Sequence, residues 1–227
     1  MVAYTYPALA AALCPSCYRL ERETPNLIVE AGMPAAMRRQ LESDIALAET
    51  TVRSFYGTFE KQPLLIACAT DACDLRLGGR GSRAATMSTP LTTVIRLAPS
   101  GLNPTILAHE FSHVELLRRL GTWALIKGIL PAWVDEGVAV IVSNDDRFLR
   151  PGFKAADRCL RDTDRPLPVT PFEWGPIAGK DTMIYADAAC RVLHWIDANG
   201  GTPGLLRALD SVAAGHHVNF GQRVSGS

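Results

Sequence analysis

The sequence predicts an α+β fold: a small twisted mixed sheet carrying one functional helix, followed by a mainly helical lobe. Two observations lead there. Short runs rich in Val, Ile, Leu and Thr, bounded by Pro or Gly, gather before residue 100. Segments with apolar residues three or four apart dominate after it. With 227 residues, 48% of them hydrophobic and 20% charged, the chain can bury a sizeable core. The expected layout is an N-terminal segment over 1–24, then one domain of two lobes, 25–120 and 121–227.

Each element has its own signal. Leu27-Ile28-Val29-Glu30 reads as a short strand. A long helix is expected from Pro34 to about Tyr56, because Met37, Leu41, Ile45, Ala48 and Val52 stripe one helical face. Pro63 to Cys68 reads as a buried strand, Asp71 to Leu77 as turn-like, and Gly78-Gly79-Arg80-Gly81 as a flexible connection. No Lys-Ser/Thr and no helix start follow those glycines, so they do not make a phosphate loop. Arg83–Ser88 and Thr92–Leu97 form two further strands, separated by Pro90. Asn103 can cap and Pro104 can open a helix that runs to about Leu120 and stops at Gly121. Beyond Pro131, helices are expected over about Ala132–Val142, Met183–Ala198 and Pro203–Ala214. Between Asn144 and Lys180, Pro151, Pro166, Pro168, Pro171, Pro176 and several charges imply a long irregular excursion.

Charge and cysteines bound the setting. The 23 basic and 23 acidic residues cancel, and no run of like charges occurs, which argues against a nucleic-acid partner or an anionic membrane surface. From Met1 to Tyr18 there is no charged side chain, and Tyr6 to Leu13 is mostly apolar. That stretch is either a remnant of a signal or membrane anchor or a plain N-terminal core segment, since it lacks a basic start and is short for a membrane span. Six cysteines in close pairs (Cys14 with Cys17, Cys68 with Cys73) suit disulfides, with Cys159 and Cys190 able to form a third. Buried thiols, a Cys14–Cys17 redox pair and a structural zinc on the first four cysteines are the alternatives. Disulfides would place the protein in the periplasm, outside the cell or anchored at a membrane.

The chemistry concentrates in His109-Glu110-Phe111-Ser112-His113. Residues four apart on a helix share a face, so both imidazoles can reach one ion at nitrogen–zinc distances of about 2.0–2.1 Å. Glu110 follows His109 by one position and its carboxylate swings toward the ion's open side, which suits a general base. Leu107, Phe111, Val114 and Leu117 give the helix apolar faces to bury. Two core histidines satisfied by hydrogen bonds are the bland reading of the same residues.

Catalytic zinc takes three protein ligands and keeps one position open. Trp133-Val134-Asp135-Glu136-Gly137, on the next helix, supplies a third donor. The pentad followed by Trp-x-x-Glu-Gly resembles the gluzincin metallopeptidases, with spacing similar to the M1 and peptidase-MA-like families. The resemblance implies a zincin-like fold, one Zn²⁺ held by His109, His113 and Glu136, and a peptide or protein substrate. It also implies an oxyanion donor, a tyrosine opening a later helix, which carries over onto Tyr185; core packing is the alternative for that ring. Trp133 packs the ligand helix, and Gly137 lets another backbone approach. Asp135 either orients a histidine or faces solvent. Glu115 points away from the face shared by the histidines, His194 is structural, and His216 with His217 is at most an adventitious metal site.

The expected reaction is peptide hydrolysis: Glu110 takes a proton from zinc-bound water and later protonates the leaving amine, while Tyr185 steadies the intermediate. Strand Arg83–Ser88 would offer its edge to an extended peptide. The M1 aminopeptidases carry Gly-x-Met-Glu-Asn on that strand to hold a free amine. Here Arg83-Ala84-Ala85-Thr86-Met87-Ser88 has no glutamate, so an endopeptidase-like mode is expected. The aspartate that thermolysin-like enzymes place four residues after the third ligand is also missing, replaced by Val140. The competing classes are a non-catalytic zinc-binding module on a peptidase fold and, more distantly, a thiol oxidoreductase using Cys14 and Cys17.

Overall fold

Five short strands assemble the apolar runs of the first half into one mixed sheet. They are β1 (Leu20–Thr24), β2 (Leu27–Glu30), β3 (Leu64–Ala67), β4 (Ala84–Ser88) and β5 (Thr93–Leu97), in spatial order β1-β2-β3-β5-β4. The structure is a computed structural model that describes residues 6–60, 62–89, 92–121, 124 and 127–221. Strands β2, β3 and β5 run parallel at the centre, and β1 and β4 close the sheet as antiparallel edges. Ile28, Val29, Ile66, Ala67, Val94 and Ile95 are fully buried, as expected of central strands covered on both faces. Pro90, the expected divider between β4 and β5, lies outside the described residues.

β1 carries no strand signal in the sequence, for a physical reason. It is an edge whose Glu21, Arg22 and Glu23 are exposed, so it lacks apolar alternation. Arg38 pairs with both Glu21 and Glu23. The N-terminal stretch folds as helix α1 (Pro7–Leu13), with Ala8 and Ala11 in one cluster with Leu20, Ile28, Ile66 and Val94. Met1 to Thr5 lie outside the described residues. Among the described residues no helix is long and apolar enough to cross a membrane.

Helix α2 (Ala35–Tyr56) crosses from β2 to the parallel β3 and buries Leu41, Asp44, Ala48, Val52 and Tyr56. The buried stripe therefore differs from the expected one: Met37 is exposed and Ile45 half-buried. Intervals of four bring Asp44 inward, and the Gln40 amide donates to its Oδ1 at 2.9 Å. The segment expected as a turn after β3 is instead helix α3 (Asp71–Arg76). Thr70 Oγ1 caps it by accepting from the Cys73 N–H at 3.2 Å, Asp71 and Asp74 suit its N-terminal dipole, and the Cys68–Cys73 disulfide pins it to β3.

Helix α4 (Pro104–Leu120) starts and stops where the sequence indicates. Asn103 Oδ1 accepts from the Ile106 N–H at 3.0 Å, and Gly121, at φ 76°, ends the helix with its N–H on Leu117 O. The chain divides into two compact units, Met1–Val114 and Glu115–Ser227, with the division falling inside α4.

The second unit is helical: α5 (Ala132–Ser143), α6 (Pro171–Ala178), α7 (Ile184–Ala198) and α8 (Gly201–Ala213). Asn144, in the left-handed region at φ 49°, closes α5. α5 and α7 meet at Gly137, where an added Cβ would stand 2.7 Å from Ala188 O and 2.9 Å from Val192 Cγ2. Only a glycine permits that approach. α6 interrupts the expected irregular excursion. Its start is a capping box: Thr170 accepts from the Glu173 N–H, the Glu173 carboxylate returns to the Thr170 N–H, and Pro171 takes the first turn. The six cysteines form three disulfides, Cys14–Cys17, Cys68–Cys73 and Cys159–Cys190.

Candidate metal centre

Helix α4 presents His109 and His113 one turn apart, both half-buried, with ring centroids 4.8 Å from each other. Its other faces are packed. Phe111 stacks on Phe59 at 5.1 Å, and Ser112, fully buried, hydrogen-bonds the Tyr56 hydroxyl at 2.8 Å. These contacts leave the helix little freedom to rotate, so the two imidazoles keep their shared direction.

Glu110, almost buried, is held from the sheet. The Thr86 hydroxyl on β4 donates to its Oε2 at 2.6 Å. One of its two carboxylate oxygens is thus engaged by a donor. Arg96, buried on β5, lies close enough for its charge to couple to Glu110. Burial pushes the Arg96 guanidinium below its ordinary pKa, and the negative charge of Glu110 opposes that shift. Arg96 also pairs with Asp74 and donates to Ser82 Oγ at 2.6 Å. The general-base candidate therefore sits in a polar cradle that no local motif announces.

Glu136 occupies the second turn of α5 and is half-buried. Trp133, one turn earlier, is fully buried with Arg191 over its ring at 5.4 Å. Tyr185 lies in the first turn of α7, stacked on Phe148 and edge-on to Trp174, each at 5.2 Å. Arg147 covers Phe148 at 5.0 Å. Hydrogen bonding to Asp145 chiefly raises the pKa of Arg147, with the Tyr185 hydroxyl a smaller contributor. Buried Asp187 anchors the same turn by binding Arg161 and Arg165.

The imidazoles of His109 and His113 are carried by α4 in the first unit, and the Glu136 carboxylate by α5 in the second. Two neutral imidazoles and a carboxylate are a donor set that fits zinc with a position to spare. Comparison with family models, with curated proteins and with solved structures returned no match. The case rests on the chemistry alone.

The remaining candidates sort themselves. Glu115, fully buried, binds Arg118 and Arg119 at 2.7 and 2.9 Å and faces them. His194 Nε2 contacts Asp162 Oδ2 at 3.0 Å on the surface. His216 and His217 are exposed beyond α8. A second group, Cys159, Asp162, Cys190 and His194, brings four ligand atoms within 4.8 Å of one another. Thr86 and Arg96 are the residues that sequence reasoning missed. The sequence shows β4 as a strand, but its contact with Glu110 is a tertiary fact.

Proposed function

We propose that the protein is a zinc-dependent peptide-bond hydrolase of the gluzincin type, endopeptidase-like in mode, with His109, His113 and Glu136 holding the metal. The observation that carries this reading is the pair of imidazoles one turn apart on α4, beside a glutamate already oriented by Thr86, with Glu136 of the Trp-x-x-Glu-Gly stretch on α5 as the third donor. Bound zinc would acidify a coordinated water and polarise the scissile carbonyl. Glu110 Oε1 accepts the proton of the attacking water and passes it to the leaving amine. Thr86 keeps the carboxylate turned for both transfers. Tyr185, fixed between Phe148 and Trp174, donates its hydroxyl hydrogen to the oxyanion that develops. β4 is an edge strand, which supports binding of an extended peptide by strand addition. No acidic residue lies on β4 to hold a free amine, which favours cleavage within a chain.

The deciding experiment is Glu110→Gln with zinc content and peptide hydrolysis measured side by side. Unchanged zinc and a loss of about 10²–10⁴-fold in kcat are expected, the range for removal of a general base. Hydrolysis at the wild-type rate would end the mechanism. A wild-type protein that binds zinc yet cleaves nothing in a broad peptide library would reassign the chain as a zinc-binding module.

A further inference from the structure

We propose that Cys159, Asp162, Cys190 and His194 form a second metal site, which the Cys159–Cys190 disulfide closes and its reduction opens. The four side chains each place one ligand atom within 4.8 Å of the others. They come from two elements with ligand-like spacing. Cys190 and His194 are four residues apart on α7, hence one turn apart on one face. Cys159 and Asp162 are three apart on the segment that precedes it. That segment is already moored: the Ala156 N–H donates to Asp197 Oδ2 on α7 at 2.8 Å, and the Arg150 N–H to Arg158 O at 2.9 Å. His194 and Asp162 are in contact at 3.0 Å.

Two thiolates, one imidazole and one carboxylate complete a tetrahedral set with no open position, the pattern of a structural zinc site. The thiolates select zinc over magnesium or calcium. Access is open from the His194–Asp162 side, where the two side chains are 49% and 69% exposed. Cys190, 1% exposed, lies beneath.

The disulfide and the metal use the same sulfur atoms, so the two states exclude each other. Reduction by a dithiol breaks the S–S bond: two electrons and two protons pass to the protein sulfurs, and the reductant becomes its own disulfide. Zinc then displaces the two thiol protons and forms two Zn–S bonds. In either state the segment carrying residues 159–162 stays tied to α7, the helix whose first turn bears Tyr185. The tether thus persists in oxidising and reducing surroundings alike.

The proposal stands apart from the hydrolase reading, and its test keeps them apart. Full-length protein with His109→Ala, which disables the other metal group, is titrated with Co²⁺ in oxidised form and after anaerobic reduction by a phosphine. The reduced protein should develop a sulfur-to-cobalt charge-transfer band that saturates at one equivalent, and the oxidised protein should show none. In the same background the band should vanish in Cys190→Ser. It should lose intensity and require more cobalt in His194→Ala, whose exposed side chain can be removed without disturbing the core. A reduced protein without the band overturns the proposal. So does a band that survives both substitutions unchanged, since it would belong to the other four cysteines.

Discussion

Thr86 does what the pentad alone does not specify: its hydroxyl engages one of the two carboxylate oxygens of Glu110, and in the proposed mechanism it would leave the other to take the proton. Its hydroxyl meets Oε2 at 2.6 Å, and the charged acceptor makes this a strong hydrogen bond. Thr86→Val keeps the shape of the side chain and removes the donor. Loss of a hydrogen bond to a charged group costs about 1.5–3 kcal/mol, so kcat should fall roughly 10–100-fold. Thr86→Ser should restore most of it, and KM for a peptide substrate should hardly move. A Thr86→Val variant with wild-type kcat would remove Thr86 from the proposed mechanism. The pentad itself was legible because the i, i+4 rule is local: once α4 is a helix, His109 and His113 must share a face. Thr86 and Arg96 were not, because 24 residues separate Thr86 from its partner and only the β4–β5 pairing brings them to α4.

At the scale of the element, the last turns of α4 hold a titrating lock. Burial would push the Glu115 carboxyl up, but hydrogen bonds and charges from Arg118 and Arg119 outweigh it, and the pKa lies below the ordinary value of 4.5. A carboxylate whose folded pKa is depressed contributes stability above its unfolded pKa and loses it as pH falls through the folded one. Glu115→Gln should therefore destabilise the protein by about 1–3 kcal/mol at pH 7, and the deficit should shrink below about pH 4. Thermal melts of both proteins across that window check it. A deficit that does not change with pH would assign the effect to packing. Elements were legible to the degree that their cause was local. α4 and α5 carry Asn103, Pro104, Pro131 and a regular apolar period. α6 carried an equally local signal, Thr170-Pro171-Phe172-Glu173, obscured by the surrounding prolines. α3 and β1 have weaker cues: one depends on a disulfide and a threonine cap, the other on pairing with β2.

For the whole molecule, any metal bound to the folded chain alone adds to its stability. Free zinc at a hundredfold above Kd contributes about 2.7 kcal/mol, worth roughly 5–10 °C in Tm for a protein of this size. Chelation should lower Tm by that amount in the wild type, and much less in His113→Ala. Equal shifts in both would place the stabilising metal elsewhere. The two rims of the sheet carry a further consequence. β1 is studded with Glu21, Arg22 and Glu23, whereas β4 runs Ala84-Ala85-Thr86-Met87-Ser88 without a single charge. One border is guarded against stray pairing with another chain and the other is left bare, as a strand meant to receive a guest would be. In concentrated solution with no guest present, neighbouring molecules should zip together along that bare border. Light scattering should record the growth, and a lysine introduced at Ala85 should suppress it.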